Sequence, residues 1–343
     1  MAVINERTEA AFYERIPGGY SCMLCPNKCT IQIGSYGKCG CRRADEDMLV
    51  AYSFGKVTMF CSDQIEKRRI YHFRPNAKVF SVGSIGCNMS CDYCENYAVT
   101  QLETGKKRAT YVSPEKLVSR CRYDGRDIIA FTYSEPAVWF EYIMKIHETD
   151  PLLAILIDTN GLLEEAPLEE LCRITDAFNV DIKAFNDGFY RKYCKSSLNR
   201  VLKSAEHIFS KNVMLELTYL VIPGLNDSDE EIEKFCEWVL KSLSADVPVH
   251  FARFHPDNRM TDIEMTPPET LLRCRGLAIT AGLHHVYVAN TLADGADDTL
   301  CPECGATAIA RLGHLVEFKS LDGNKCSECG YRYNMVRWNR PGF

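Results

Sequence analysis

From residue 78 onward the chain alternates between two hydrophobic patterns. Short apolar, β-branched runs recur at 79–82, 128–132, 152–157, 178–182, 213–222 and 247–252. Between them, residues 114–121, 137–148, 167–175, 199–210, 228–242 and 267–281 space Leu, Ile, Phe and Val by three and four, and several of these segments open on Ser, Thr or Pro as start signals. Strand followed by helix, six times over, predicts parallel strands joined by right-handed crossovers, hence an α/β sheet or barrel. A seventh apolar run at 285–289 is expected to add an edge strand.

The polar residues fall in register with this pattern. The first run leads into a loop of cysteines, the second into Tyr133-Ser134-Glu135-Pro136, and the third into Asp158-Thr159-Asn160-Gly161. The fourth carries Asp181 and Lys183; the fifth and sixth end at 222–227 and 253–257, the latter with His255. One such cluster alone reads as an ordinary turn. Six in register after six strands mark the carboxyl face on which α/β barrels host their reactions.

Composition narrows the picture. A chain of 343 residues with 46% hydrophobic content buries a full core and suits one barrel-sized domain with appendages. The divisions expected are a Cys-rich segment at 1–60, a barrel at 61–295 and a terminal domain at 296–343. A net charge of -6 gives no global basic footprint, so nucleic-acid binding is not indicated. No apolar stretch has the length of a signal or spanning segment, so a cytoplasmic protein without a membrane role is expected.

Eighteen cysteines change the picture more, because they cluster. In a long chain without a signal sequence, C-x2-C pairs read as metal or cluster ligands rather than disulfides. Cys87, Cys91 and Cys94 stand at C-x3-C-x2-C spacing, with Tyr93 just before the last. A 4Fe-4S cube normally takes four thiolates, so a loop with three leaves one iron open to a small molecule. The plainer alternatives are a zinc knuckle or three structural thiols. Near the start, Cys22, Cys25 and Cys29 with Cys39 or Cys41 sit in a Gly-rich segment too poor in apolar sequence to fold around a core of its own. A second Fe-S cluster or a zinc ion would staple it; redox or idle thiols are the third reading. Cys301, Cys304, Cys326 and Cys329 form two C-x2-C knuckles about a hairpin apart, the pattern of a zinc ribbon with strands near 308–312 and 315–318. Arg311, Lys319, Lys325, Arg332, Arg337 and Arg340 with Tyr331, Tyr333 and Trp338 make this end locally basic and aromatic, which reads as a solvated face. Cys61, Cys121, Cys172, Cys194, Cys236 and Cys274 are isolated and read as small buried hydrophobes. His284 and His285, adjacent on a strand, face opposite ways and read as structural.

The three-cysteine loop, the Ser134-Glu135-Pro136 turn, residues 180–186, 221–226 and 253–257 together resemble the radical S-adenosylmethionine (SAM) protein of the AmmeMemoRadiSam system, a group related to pyruvate formate-lyase activating enzymes. The resemblance covers nearly the whole chain. It implies a partial (β/α)6 barrel whose open iron takes SAM and whose cluster electron yields a 5'-deoxyadenosyl radical. It also implies roles. Glu135 lies near the SAM amino group, with Tyr133 and Ser134 standing where the family has two glycines. Asp158, Thr159 and Asp181 hold a monovalent cation beside the SAM carboxylate. Asn160 faces the ribose, His255 lies along the adenosyl moiety, and Lys183 points to the substrate side or pairs with Asp181. The implied partners are an electron donor such as flavodoxin or ferredoxin, and Memo-like and AMMECR-like proteins. The competing class is a non-catalytic Fe-S and zinc binding module; a radical enzyme acting on a small metabolite is the other alternative.

Overall fold

The computed structural model describes residues 7–291, 295–313 and 315–336. Its centre is a sheet of eight strands: β1 (Met59–Gln64), β2 (Lys78–Gly83), β3 (Ile128–Phe131), β4 (Ala154–Thr159), β5 (Ala177–Ile182), β6 (Met214–Val221), β7 (Val249–Arg253) and β8 (Val286–Ala289). Every strand pairs with its neighbour in sequence, so that β1 and β8 form the two edges. Strands β2 to β8 run parallel, and β1 lies antiparallel to β2. The seven parallel strands are the six expected runs plus the edge strand at the seventh. β1 is an addition to the expected six-strand core. Its sequence, Met-Phe-Cys-Ser-Asp-Gln, is half polar and lies exposed or half-exposed, so no long or alternating apolar run announces it.

The crossovers carry α1 (Pro114–Tyr123), α2 (Phe140–Thr149), α3 (Glu165–Ile174), α4 (Leu198–Ser210), α5 (Asp229–Ser242) and α6 (Pro268–Ala281). Two of them open on a capping side chain. Ser113 accepts from the Lys116 amide with Pro114 in the first turn, and Ser228 accepts from the Glu231 amide ahead of three acidic residues. Strands covered on both faces are apolar along their length: all four residues of β3 and of β8 are buried.

Residues before β1 do not form a separate body. Tyr13–Ile16, Gly19–Cys22 and Thr30–Gln32 make a small antiparallel sheet, and Arg42–Ala44 pairs with Leu49–Ala51. Their buried residues Tyr20, Leu24, Ile31 and Leu49 belong to the same apolar cluster as Phe80, Phe131 and Trp139. The segment that lacks a core of its own borrows that of the sheet.

The carboxyl-terminal unit contains the anticipated hairpin, Thr307–Leu312 with Leu315–Phe318, and a small core around Ile309 and Tyr333. It is tied to the sheet by buried polar groups. Arg311 donates to the Tyr71 carbonyl at 3.2 Å and to the Thr299 hydroxyl at 2.7 Å, and its guanidinium lies 4.2 Å from the centre of the Tyr71 ring. Glu216 of β6 accepts from the amides of Tyr71 and His72, both at 2.7 Å, and its other oxygen lies 2.7 Å from His250 Nε2. His72 in turn contacts the Tyr287 hydroxyl at 2.7 Å. The solvated basic face expected here therefore fails for Arg311 and Tyr333, which are buried; Arg337, Trp338 and Arg340 lie outside the described residues. Among the described residues no helix is long and apolar enough to cross a membrane.

Candidate functional site

A cleft of about 570 Å³ opens at the carboxyl ends of the parallel strands. Its wall includes every residue that the sequence places there: Cys87, Cys91, Tyr93, Cys94, Tyr133, Ser134, Glu135, Asp158, Thr159, Asn160, Asp181, Lys183 and His255. The parallel register explains the convergence. Side chains separated by up to 168 residues in sequence are carried to one rim because each strand ends there.

The cysteine loop is held from several sides. The Ser90 and Asp92 amides donate to the carbonyls of Cys194 and Tyr193, at 3.1 and 2.9 Å, and Asn258 donates to the Cys91 carbonyl at 3.2 Å. Gly86, with φ of 81°, lets the loop press against the amino-terminal segment: a Cβ there would stand 2.2 Å from Cys41 Sγ and 2.5 Å from the Cys39 carbonyl. Tyr93 is buried, with its hydroxyl 3.1 Å from Cys194 Sγ. Cys194 is thus a contact of the loop as well as a buried thiol. Cys61, also expected to be a buried hydrophobe, is partly exposed, 2.8 Å from Asp63 and 3.0 Å from the Tyr133 hydroxyl.

Tyr133 keeps the backbone that a glycine would supply. Its φ is 68°, a left-handed conformation that costs a non-glycine residue about 1–2 kcal/mol. Contacts on its side chain hold it there: besides Cys61, the Arg68 guanidinium lies 5.0 Å from its ring centre. The departure from two glycines thus alters the side chains and leaves this backbone turn in place. Ser134 accepts from the Ser84 amide at 3.1 Å, joining the ends of β2 and β3.

Besides the exposed Glu95, three carboxylates line the cleft, each with different partners. Glu135 is 4% exposed and accepts from the Ala137 amide, the Thr159 hydroxyl at 2.6 Å and the Asn160 amide at 2.9 Å. Burial pushes its pKa up to about 7 against the pull of those three donors. Asp158 accepts from the Thr132 hydroxyl and from Asn179, both at 2.9 Å. Asp181 lies 2.5 Å from Lys183 Nζ. Burial disfavours both of these charges, yet the pair outweighs it: Lys183 is held above and Asp181 below its ordinary pKa.

Where the resemblance implies a bound cation, the structure places a guanidinium. Arg69 lies 3.5 Å from Asp158 and 3.6 Å from Asp181, and its Nε donates to the Thr218 hydroxyl at 3.0 Å. Thr159 is turned toward Glu135, and Asp158 and Asp181 share Arg69. Asn160 also lines the cleft. Its amide donates to Asn88 Oδ1 at 2.9 Å and toward Cys87 Sγ at 3.5 Å. His255 is exposed at the rim. Sequence reading missed Arg69, Thr132 and Thr218. The run Lys67-Arg68-Arg69 was visible, but only the left-handed turn at Arg69, φ 52°, aims its side chain into the cleft.

The donor sets differ in size. Cys301, Cys304, Cys326 and Cys329 have ligand atoms all within 4.8 Å of one another, and sulfur pairs at 3.5 and 3.7 Å. A tetrahedral ion with metal–sulfur bonds of about 2.3 Å sets its sulfurs about 3.8 Å apart, so this group could hold a single metal ion. Among the described residues it is the one such group; Cys87, Cys91 and Cys94 stand wider. Wider spacing, with three thiols on one wall of a cleft and carboxylates on another, suits a polynuclear cluster with a polar ligand beside it.

The sequence matches the model of the radical SAM superfamily at residues 82–238. It is 35% identical over 335 residues to an uncharacterized protein of Methanocaldococcus jannaschii, MJ0808, covering 96% of this chain and 99% of that one. It is 26% identical over 168 residues to the pyruvate formate-lyase 1-activating enzyme of Escherichia coli, covering 45% of this chain and 65% of the enzyme. Among solved structures, a radical SAM methyltransferase from Sphaerobacter thermophilus aligns with a TM-score of 0.48 and 19% identity, over 63% of this chain and 67% of that one. The chain therefore belongs to the radical SAM superfamily and is related to the pyruvate formate-lyase activating enzymes.

Proposed function

We propose that this protein is a SAM-dependent radical enzyme in which Cys87, Cys91 and Cys94 hold a 4Fe-4S cluster and the facing cleft holds SAM. The observation that carries the reading is the meeting, in one cleft, of three widely spaced thiols with the buried carboxylate Glu135. A reduced cluster held by Cys87, Cys91 and Cys94 would supply the one electron that splits a SAM sulfonium into methionine and a 5'-deoxyadenosyl radical. The chain's own residues position and shield. Glu135 offers an anionic acceptor to the methionyl ammonium, Arg69 neutralises Asp158 and Asp181 beside it, and Tyr93 and Met89 line the wall near the cysteines. Lys183, pinned to Asp181, presents a positive charge toward the cluster loop.

The substrate we propose is a polypeptide delivered by a partner, as the AmmeMemoRadiSam likeness implies, with Memo-like or AMMECR-like proteins as partners and flavodoxin or ferredoxin as electron donor. The rim supports this reading through Pro223, Gly224 and Leu225, which stand at the surface while Asn226 beneath them donates to the carbonyls of Lys183 and Leu220. We assign zinc to the carboxyl-terminal thiols and a cytoplasmic location to the protein.

The direct test is anaerobic incubation of cluster-loaded protein with SAM and dithionite, with 5'-deoxyadenosine as the readout; absence of SAM binding and cleavage under any reductant overturns the reading. Two further results are expected. With Glu135 titrating near pH 7, its ionised fraction rises about tenfold between pH 6 and pH 8. Affinity for SAM, measured by calorimetry, should therefore tighten as pH rises through 7, by up to about tenfold. Glu135→Gln should weaken binding by about tenfold or more and flatten the pH profile. Arg69→Met should lower SAM cleavage about tenfold in buffer whose cation is tetramethylammonium. Potassium should restore the variant and leave the parent protein unchanged; a variant indifferent to potassium removes the equivalence between Arg69 and a bound cation.

A further inference from the structure

The amino-terminal segment holds a second set of thiols that the proposed reaction does not use. Cys22, Cys25, Cys29 and Cys39 line one small cavity, with Asn27 and Arg42 also in its wall. Cys41 is not part of the set. Its sulfur lies 3.2 Å from the Ile85 carbonyl, and it packs with Ile85 and Val138. Four thiols around one cavity, without a carboxylate or imidazole in its wall, select a soft metal centre.

Spacing decides between a single ion and a cluster. The carboxyl-terminal cysteines of this same chain are already gathered at single-ion distances, whereas the four amino-terminal thiols are not among the groups whose ligand atoms lie within 4.8 Å. A cube attaches each thiolate to a different iron and so holds the sulfurs farther apart than one ion does. Charge gives a second, independent pointer. Arg42 is 1% exposed, pairs with Glu141 at 2.9 Å through one terminal nitrogen, and leaves its Nε without a hydrogen-bond partner. Two ferrous and two ferric ions, four sulfides and four thiolates sum to a charge of -2, with the four thiol protons released to solvent. Although one terminal nitrogen pairs with Glu141, the buried guanidinium in the wall keeps an unpartnered Nε–H with which to meet such an anion.

We propose that Cys22, Cys25, Cys29 and Cys39 bind a 4Fe-4S cluster separate from that of the cleft. It sits beside the first site. Asn27 donates to the Asn88 carbonyl at 2.7 Å, and Asn88 Oδ1 accepts from Asn160, the residue that also reaches Cys87.

The test counts metal in the full-length protein, reconstituted anaerobically with ferrous and ferric iron and sulfide, and does not depend on SAM cleavage. Elemental analysis should find about eight irons and about one zinc per chain. The triple variant Cys87→Ala/Cys91→Ala/Cys94→Ala should keep about four irons and, once reduced, the electron paramagnetic resonance signal of a cube. Cys25→Ser/Cys39→Ser, with the cleft cysteines intact, should likewise fall from about eight irons to about four. About four irons with about two zinc ions in the parent protein would overturn the proposal, as would a parent iron count of about four unaffected by Cys25→Ser/Cys39→Ser. The parent count decides the matter even if a variant fails to fold.

Discussion

Cys94→Ala is expected to reduce 5'-deoxyadenosine formation at least about a thousandfold, equivalent to about 4 kcal/mol of barrier. The thiol lies in the cleft wall, 3.7 Å from the Thr100 hydroxyl, so its removal takes away a proposed cluster ligand without opening the core. Iron should fall by about four per chain while the carboxyl-terminal metal stays in place. The control is Cys61→Ala. That thiol contacts Tyr133 from outside the cleft, and its loss should cost no more than about threefold, or about 0.7 kcal/mol. Equal losses from the two variants would show that activity tracks folding rather than ligation.

The second large effect concerns stability. Glu216 is fully buried, and one of its oxygens satisfies two backbone amides while the other meets His250. Burial keeps His250 below its ordinary pKa despite the pull of Glu216. Glu216→Ala orphans two buried donors and a ring nitrogen, at a cost of about 3–5 kcal/mol. Thermal unfolding followed by circular dichroism should shift down by about 6–10 °C or more. Glu216→Gln keeps an acceptor for the amides and should cost less than half as much. A Glu216→Ala protein that melts within a degree or two of the parent would mean that water or a neighbour replaces the carboxylate.

Much of this fold was legible because parallel strands buried on both faces write continuous apolar runs, and the helices between them keep a three-and-four spacing. The polar residues at the strand ends could be placed for the same reason: the end of each run is a position on the rim. What could not be read depended on pairing at a distance. β1 is a half-exposed edge whose only apolar residues, Met59, Phe60 and Cys61, are grouped rather than alternating with polar ones. Arg69 follows it on a left-handed turn, so neither its direction nor its acidic partners follow from periodicity. Asn160 lines the cleft as the resemblance implies, but its hydrogen bonds to Asn88 and Cys87 depend on the fold of a loop 72 residues earlier and could not be read from the sequence. Arg311 was read as solvated because charge in a short terminal segment is usually so; the aromatic rings that cover it come from β8 and from the turn before β2.

The shared core of the amino-terminal segment has a consequence for how this molecule can be taken apart. Tyr20, Leu24, Ile31 and Leu49 fill the same apolar cluster as Phe80, Phe131 and Trp139, so removing the residues before β1 would bare that part of the sheet's core to water. Residues 7–58 and the strands behind them are expected to melt together, as one cooperative unit. Amide protons at Tyr20 and Ile31 should then exchange as slowly as those of β3, and a protease that trims exposed tails should spare the junction between them. By the same reasoning, the segment could not be grafted onto another sheet without changing the core residues it covers.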